Sequence, residues 1–323
     1  SRQTMSNWIM RCSEKYFAPF VERMKEELLS LHVTQSDETP TQVIKDSDHP
    51  NSKCYMWVHR SGEFYGDRPI VIYEYQKGRD HKRPLEFYKD YSGILVTDSL
   101  QQYHLIEKKL SNGTNANCWA HARRSFADAV KIADKKDPKS VKQSIAYQAL
   151  QKIGEFYTAD TELKMLSSQE RLQKRQEFIK PLVEGFFAWV KEQIEQCSVP
   201  PKSKTGEGLR FIINQEKYLR VFLEDGDVPI DNSASERAIR TFCLGKKNWM
   251  FHNTANGATA SALVYSISET AKLNNLRPYY YFKYILTELP NFCDEQGNID
   301  STKLDDLMPW SDKLPEECRK PRR

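Results

Sequence analysis

The sequence predicts an α/β fold that is interrupted by a long, entirely helical block. Residues 31–121 contain short segments rich in β-branched and aromatic residues, separated by polar stretches, which is typical of strands. Residues 122–224 carry apolar side chains at steps of three and four, without strand signals. Residues 225–290 return to a short connection followed by helices. A sheet built before the block and completed by helices after it is therefore expected.

The composition is that of a folded protein. Of the 323 residues, 39% are hydrophobic and 11% aromatic, enough to offset the ordering entropy of folding. Seven cysteines without a C-x-x-C pair favour a reducing compartment over a disulfide framework. No apolar run is long enough to span a bilayer, and the first residues lack the pattern of a signal peptide. We therefore expect a cytoplasmic protein.

The formal net charge of +4 does not by itself indicate nucleic acid as a partner. Local basic clusters say more, namely KGRDHKR, ARR, GKK and RKPRR. Taken singly, each cluster is interpreted as a solvated face rather than a phosphate contact. The chain also begins without an initiator methionine, so we expect it to start within a longer protein.

Residues 1–30 have helical spacing and predict one long helix or a bent pair. Three strands are predicted next, over HVTQSDETPTQV, CYMWVHR and IVIYEYQ. RPLEFYKDYSG predicts a short helix with Pro84 in its first turn, and GILVTDS predicts a strand that is buried on both faces and ends at Asp98. SLQQYHLIEKKL then predicts a helix, and NCWAH a short last strand.

The helical block carries its apolar stripes on IAYQALQKIGEFY and PLVEGFFAWVKEQI. Its loop PPKSKTGEG lacks the order of residues that wraps a phosphate in a P-loop. Three helices are predicted after the block: SASERAIRTFCL, ended by Gly245, then ATASALVYSISETAKLNN, ended by its asparagines, and PYYYFKYILTEL, beginning at Pro278. Residues 291–323 are expected to wrap the surface loosely.

Three acidic residues are candidates for a shared site, and each also has a structural interpretation. Asp37 in QSDETP fits a turn, and Asp98 fits a cap on the helix that follows it. Ser233 and Glu236 fit the capping box S-x-x-E, and Glu236 stands four residues before Arg240, the spacing of a helical ion pair. Considered one at a time, the structural interpretation is favoured at each position.

The order of the elements allows the three acids to meet at one edge of a sheet. Carboxylates held that close repel one another and take up protons unless divalent cations lie between them. Two Mg²⁺ ions about 3.5–4 Å apart can activate water or a 3′-hydroxyl and stabilise the departing oxygen of a phosphodiester. Considered together, the acids therefore point to phosphoryl transfer on nucleic acid.

Six segments resemble, in order, the landmarks of the insertion-sequence-66 class of bacterial DDE transposases: QSDETPTQV, LVTDS, NCWAHARRSF, DNSASERAIR, LGKKNWMF and YSISETAKLNN. The resemblance covers almost the whole chain. It implies a ribonuclease-H-like core, with a mixed sheet flanked by helices, interrupted by an all-α insertion. It also implies that Asp37, Asp98 and Glu236 are the catalytic triad. Glu269 matches a further landmark and competes for the role of third carboxylate, and Ser99 stands where the family usually shows a glycine.

The resemblance divides the chain into five predicted parts. Residues 1–30 are the end of an upstream DNA-binding region, because SRQTMSNW resembles the last helix of a helix-turn-helix. Residues 31–121 are the first part of the core, and residues 122–224 are the helical insertion. Residues 225–290 are the second part of the core and carry the third acid. Residues 291–323 form a C-terminal tail.

Basic residues near the acids are candidate DNA contacts. The resemblance places a C-x-x-H pair beside the second acid, which makes His121 a candidate near the scissile phosphate; a partly buried histidine bonded to a backbone carbonyl is the alternative. Zinc is not expected at Cys118 and His121, because no second pair lies at finger spacing. Trp249 and Phe251 either stack on an unpaired base or pack in the core, and the core is favoured. The candidate cations for the DNA backbone are Arg123, Arg124, Arg237, Arg240, Lys246 and Lys247.

The resulting prediction is the catalytic region of a DNA transposase, which hydrolyses phosphodiester bonds at transposon ends and transfers the 3′-hydroxyl into target DNA. The expected cofactor is Mg²⁺ in a two-metal site, with Mn²⁺ as a substitute. Expected partners are DNA, a second copy of the chain in synapsis and accessory transposition proteins, with no membrane, in the bacterial cytoplasm at the nucleoid. The alternatives are a ribonuclease-H-like nuclease without strand transfer and a catalytically silent DNA-binding or assembly factor. Without the end-binding module, weak and nonspecific DNA binding is expected.

Overall fold

The chain forms a mixed α/β structure with a five-stranded sheet, and the computed structural model describes residues 1–45, 54–79, 82–99, 101–107, 113–136 and 140–321. The strands are β1 (Val33–Thr41), β2 (Cys54–Ser61), β3 (Val71–Gln76), β4 (Ile94–Thr97) and β5 (Thr114–Asn117). Their order in the sheet is β3-β2-β1-β4-β5. β1 pairs with β2 and β2 with β3 in antiparallel fashion, whereas β4 and β5 are parallel. The prediction of an α/β chain with a mixed sheet is confirmed at this level.

Helices are the commonest regular elements among the described residues. They are α1 (Arg2–Cys12), α2 (Ala18–Ser30), α3 (Lys82–Phe87), α4 (Gln101–Glu107), α5 (Trp119–Ala122), α6 (Arg124–Lys136), α7 (Ile145–Glu162), α8 (Ser168–Lys174), α9 (Lys180–Glu195), α10 (Lys204–Asn214), α11 (Glu216–Leu219), α12 (Ser233–Trp249), α13 (Ala255–Leu273) and α14 (Pro278–Glu288). Within the described residues, no helix is both long enough and apolar enough to cross a membrane.

The chain divides into two compact units, of which the first contains the described residues of 1–93 and 234–321. In this unit β3 is sealed along its edge by α13. The amides of Val71 and Tyr73 donate to the hydroxyl oxygens of Thr270 (3.0 Å) and Ser266 (2.8 Å). Because an open strand edge invites pairing with another chain, these side chains protect the meander as well as fasten the helix to it.

The two faces of the meander carry different side chains, because neighbours in a strand point to opposite faces. One face packs against α12 and α13 in an apolar cluster that includes Val58 of β2 and Phe242 of α12. The other face carries the buried His59, whose Nδ1 lies 3.0 Å from Ser36 Oγ and 3.1 Å from the Tyr88 hydroxyl. The meander is thus buried on both faces.

The second unit contains the described residues of 94–107 and 113–233. Its core is aromatic, with Trp119 in edge contact with Phe156 at a centroid distance of 4.7 Å and within 5.9 Å of the Phe186 and Phe187 rings. The Trp119 indole N–H donates to the carbonyl of Leu219 at 2.8 Å, which satisfies its one polar atom. The helical block predicted after residue 121 therefore has its own hydrophobic core.

Three local predictions were wrong. α12 continues through Gly245 to Trp249, because Gly245 lies against the Tyr265 hydroxyl and allows α12 and α13 to approach closely rather than ending the helix. NCWAH is not a strand, since β5 ends at Asn117 and α5 begins at Trp119. The tail after residue 291 is not loose, because it buries Leu304, Leu307, Met308, Leu314 and Cys318.

Candidate active site

Asp37 lies near the middle of β1, on the face of the meander that α12 covers. Two residues further along the strand, Thr39 Oγ1 lies 3.6 Å from the Sγ of Cys243 in α12. Glu236 precedes Cys243 by about two helical turns, in the first turn of α12. The same packing that joins Thr39 to Cys243 therefore carries Glu236 back toward Asp37.

The environment of Asp37 favours its protonated form. Burial raises the pKa of this carboxyl to about 7, and the negative charges of Glu38 and Glu236 act in the same direction. The Glu38 amide, which donates to Asp37 Oδ1 at 2.8 Å, and the Arg79 guanidinium act against them. A buried carboxyl next to further carboxylates can be ionised at neutral pH only at a cost, unless a cation shares the site.

Arg79 has a specific partner that the sequence did not reveal. Its Nε lies 2.6 Å from the carboxylate of Glu38, whose side chain is fully buried. Arg79 is itself exposed, as the solvated face predicted for KGRDHKR requires, while Asp80 and His81 of that cluster lie outside the described residues. Glu38 and Arg79 stand beside Asp37 as a fixed charge pair.

Asp98 follows the last residue of β4, at the carboxyl end of the parallel pair. Thr97 is opposite Asn117 in the ladder, and the amide of the next residue, Cys118, donates to the Thr97 carbonyl at 3.0 Å. The Sγ of Cys118 in turn accepts the amide of Asn232 at 3.1 Å. The segment that leads into α12 is thus bonded to the strand edge at which Asp98 lies.

The residue after Asp98 has an unusual backbone. Ser99 has φ of 48°, in the left-handed region that glycine adopts without strain. This agrees with the glycine that the resembled family usually has at this position. The alternative role for Asp98 is a cap on the helix predicted to begin near Leu100. Leu100 lies outside the described part of the chain, and α4 begins at Gln101.

The capping box predicted for Ser233 and Glu236 is wrong. α12 begins at Ser233, and the Ser233 amide, which the box assigns to Glu236, donates to the Asp231 carboxylate at 2.9 Å. Asp231 is only two residues away and reaches this amide in an Asx-type turn. Glu236 is therefore not bonded to the Ser233 amide.

His121 lies on the short helix α5 and is half-buried. Burial and the Arg124 charge lower the pKa of His121 to about 4, against the opposite effect of Asp231. At neutral pH the imidazole is uncharged, so its N–H can donate a hydrogen bond to a phosphate, but the ring cannot pair with the phosphate as a cation. The charge of Asp231 also adds to burial in raising the pKa of Tyr157. Sequence reasoning missed both Asp231 and Tyr157, and the only signal was the acid that opens DNSASERAIR.

Two of the predicted DNA-contact cations already have partners in the protein, and the others form no ion pair among the described residues. Arg237 forms an ion pair with Glu63 at 3.0 Å, and the Lys246 ammonium donates to the Pro40 carbonyl at 2.6 Å. Lys246 thereby ties the end of α12 to the end of β1. The remaining cations are exposed, namely Arg123, Arg124, Arg240 and Lys247.

Glu269, the competing third acid, lies in a different setting on α13. Its carboxylate is 2.5 Å from the ammonium of Lys272, one turn along the helix, so its ion-pair partner is a lysine of the same helix. It lines a cavity of about 1070 Å³ bordered by α1, α12, α13 and α14. The charge of Glu236 adds to the raised pKa of Asp37, whereas that of Glu269 adds to burial in raising the pKa of Tyr73.

The carboxylates suit a hard divalent cation. Among the described residues, no group of three or more His, Cys, Asp or Glu side chains is arranged as a ready-made metal site. Mg²⁺, however, usually binds one or two carboxylates together with substrate phosphates and keeps several waters. Asp37 and Glu236 offer such a pair, and the raised pKa of Asp37 is what a cation would relieve.

Comparisons with known proteins agree with the resemblance. The family model described as "Transposase IS66 family" matches residues 1–260, and the model described as "IS66 C-terminal element" matches residues 266–310. Two uncharacterized proteins of Sinorhizobium fredii (strain NBRC 101917 / NGR234) are similar. The protein y4qI is 28% identical over 326 residues, which cover 97% of this chain and 57% of that protein. The protein y4hP is 27% identical over 300 residues, which cover 90% of this chain and 53% of that protein.

This chain thus spans little more than half the length of these relatives. The family models, by contrast, follow the chain from its first residue through α12 and α13 into the packed tail. The chain therefore belongs to the IS66 transposase family.

Proposed function

We propose that this chain is the catalytic region of a DDE-type DNA transposase with a ribonuclease-H-like core. It hydrolyses phosphodiester bonds at transposon ends and then joins the freed 3′-hydroxyl to target DNA. The observation that carries the proposal is the setting of Asp37, a partly buried carboxyl whose pKa is raised to about 7 and which senses the charge of Glu236. Family membership supports a transposase in general.

The sheet supports the assignment of all three acids. The order β3-β2-β1-β4-β5, with an antiparallel meander and a parallel pair, is the order expected for a ribonuclease-H-like core. Asp37 lies at the middle of β1, and Asp98 directly follows β4. The connection bonded to Cys118 leads into the helix of Glu236. These positions support the proposed role of each acid.

Mg²⁺ is the cofactor that this proposal requires, and Asp37, Asp98 and Glu236 would hold it. When bound, it activates water or a 3′-hydroxyl and stabilises the departing oxygen of the phosphodiester. The chain itself contributes a site of low dielectric around Asp37, where opposite charges attract more strongly than in water. The Glu38–Arg79 pair beside Asp37 limits the local excess of negative charge.

Two further groups have proposed roles in holding the DNA. The imidazole N–H of His121 donates a hydrogen bond to a phosphate oxygen. The low pKa of His121 leaves the ring uncharged at neutral pH. Arg123 and Arg124, exposed just after it, neutralise backbone phosphates and supply affinity that depends on salt but little on base sequence.

The test is a strand-transfer assay in Mg²⁺, with an oligonucleotide that carries the element's end with a free 3′-hydroxyl and a supercoiled plasmid as target. Wild-type protein should give joined product, and Asp37→Asn, Asp98→Asn and Glu236→Gln should lose it by at least about a hundredfold, as removal of a group that stabilises the transition state does. Glu155→Gln, an exposed acid on α7, is the matched control and should join normally.

Two results would contradict the proposal. Plasmid nicking without joined product would identify a nuclease that does not transfer strands. No nicking and no joining by wild-type protein that binds the same DNA would identify a catalytically silent factor.

A further inference from the structure

A short ladder joins the chain after β1 to the chain after α12. The His252 amide donates to the Gln42 carbonyl (2.9 Å), and the Ile44 and Lys45 amides donate to the carbonyls of His252 and Asn253 (3.0 Å each). Val43 and His252 pair in parallel. The ladder links segments more than 200 residues apart and fixes the backbone on both sides.

Alternation along this ladder separates a buried row from an exposed one. Val43 and His252 are buried, and His252 lies against the Trp249 ring at a centroid distance of 4.4 Å. Ile44 and Phe251, by contrast, expose 48% and 44% of their surface. Met250, at 64% exposed, precedes Phe251 in the left-handed conformation with φ of 66°. We call Ile44, Met250 and Phe251 the apolar strip.

A row of cations on α12 leads to the apolar strip. Arg240, Leu244 and Lys247 are exposed and follow one another at steps of four and three, so they share one face of the helix. Among the described residues, Arg240 and Lys247 have no ion-pair partner. The row begins one turn after Glu236 and ends at the strip.

A surface that combines an apolar strip with a row of cations fits an unpaired DNA strand better than a double helix. A double helix offers mainly phosphates to such a surface, because its bases are stacked inside. An unpaired DNA strand offers phosphates and base faces together, and proteins bind such strands with basic grooves and aromatic platforms. The hydrogen-bonded backbone holds the strip in place before any DNA arrives.

We propose that the apolar strip and the α12 row bind an unpaired DNA strand, with phosphates on Arg240 and Lys247 and bases against Phe251, Ile44 and Met250. The track is about 15 Å long, from Arg240 to Met250 at 1.5 Å per helical residue. That the track leads to the catalytic site rests on the proposed function of Glu236. Binding of an unpaired strand to the track does not require catalysis.

The test measures binding by fluorescence anisotropy in EDTA, with the oligonucleotide dT12 and a duplex of the same length as probes. Phe251→Ala should weaken binding of dT12 by about tenfold, as expected for the loss of one stacked base, and leave duplex binding unchanged. Phe251→Trp should retain affinity for dT12. Phe178→Ala, which removes a phenylalanine that is 52% exposed in the helical block, is the control and should bind like wild type.

Three results would overturn the proposal: dT12 affinity unchanged in Phe251→Ala, dT12 and duplex affinities lowered equally, or sedimentation showing that Phe251→Ala dissociates an oligomer while dT12 affinity is retained. The melting temperature of Phe251→Ala checks that the variant folds. Asp37→Asn should bind dT12 normally. Because the assay contains no divalent metal, a failure of the strip is distinguishable from a failure of the proposed chemistry.

Discussion

The Arg175 guanidinium lies 2.6 Å from the Asp160 carboxylate, and both side chains are buried inside the helical unit. Arg175 also donates to the carbonyls of Phe222 and Val228 at 2.8 Å each, in the segment that leads toward α12. Removing one partner of a buried pair leaves an uncompensated charge. Arg175→Met should therefore lower the free energy of unfolding by about 3–5 kcal/mol, measured by urea denaturation.

The double variant Arg175→Met with Asp160→Leu measures the interaction between the two residues apart from their contacts with the rest of the protein. It should cost less than the sum of the two single variants, because it leaves no unpaired charge behind. Lys204→Ala, which breaks the exposed pair with Glu207 at 2.9 Å, is the control and should leave stability unchanged. Strict additivity of the two buried substitutions would show that the residues act separately.

Asp37 should destabilise the protein as the pH rises. Its pKa is 3.8 in the unfolded chain and about 7 in the folded one, so its contribution to stability is fully present below pH 3.8 and is lost as the pH rises through 7. Asp37→Asn should remove this loss and be more stable than wild type at pH 8 by roughly 2–4 kcal/mol, at about 1.4 kcal/mol per unit. Thermal unfolding at pH 5 and pH 8 measures the difference.

Added Mg²⁺ provides the second half of the Asp37 experiment. At pH 8, Mg²⁺ should stabilise wild type more than Asp37→Asn, because a ligand stabilises the state that binds it. The difference in free energy of unfolding between the two proteins should therefore become smaller. Asp134→Asn, at an exposed position on α6, should behave like wild type with and without Mg²⁺. A gap at pH 8 that Mg²⁺ does not change would argue against Asp37 as a metal ligand.

The fold could be predicted where local pattern decides it. The three β-rich segments became the meander β1–β3, and Pro278 begins α14 as its ring geometry favours. Gly245 misled the prediction because the reason for a glycine there is a tertiary contact with Tyr265, which no local pattern encodes. The capping box failed because Asp231 competes for the Ser233 amide at shorter range.

The candidate site was predictable in its residue types but not in its contacts. The acids at Asp37 and Glu236 were visible in the sequence, whereas the face they share follows from the register of β1 and the packing of α12. Arg79 reaches Glu38 across 41 positions, and Val43 pairs with His252 in a ladder of still longer range. Such pairings depend on topology, which spacing along the chain does not contain.

Ser99→Gly should stabilise the protein by roughly 0.5–1 kcal/mol, because a left-handed φ of 48° strains any residue with a Cβ atom. The hydroxyl gives no compensation, since Ser99 Oγ is buried without a hydrogen-bond partner among the described residues. Thermal unfolding measures the gain. Ser99→Ala keeps the Cβ atom and removes only the unsatisfied hydroxyl, so Ser99→Gly should be more stable than Ser99→Ala by this backbone gain. A gain in the alanine variant equal to that in the glycine variant would assign the cost to the hydroxyl instead of the backbone.

Arg123 and Arg124 should govern the salt dependence of DNA binding. Each phosphate contact contributes about 0.9 to the slope of log affinity against log salt on duplex DNA. The double variant Arg123→Ala with Arg124→Ala should therefore reduce this slope by about 1.8, measured by titration at several salt concentrations. Lys142→Ala, at another exposed position of the helical unit, is the control. An unchanged slope in the double variant would remove both arginines from the DNA contact.

Glu236 and Glu269 can be separated by their response to Mg²⁺. Glu236 contributes to the raised pKa of Asp37, so Glu236→Gln should weaken Mg²⁺ binding by at least about tenfold in calorimetry, which corresponds to 1.4 kcal/mol. Glu269 is held by Lys272 beside the α1–α13 cavity, and Glu269→Gln should bind Mg²⁺ and transfer strands like wild type. The reverse result, with Glu269→Gln inactive and Glu236→Gln active, would move the third ligand from α12 to α13. In that case the helix that packs on the edge of β3 would carry the chemistry.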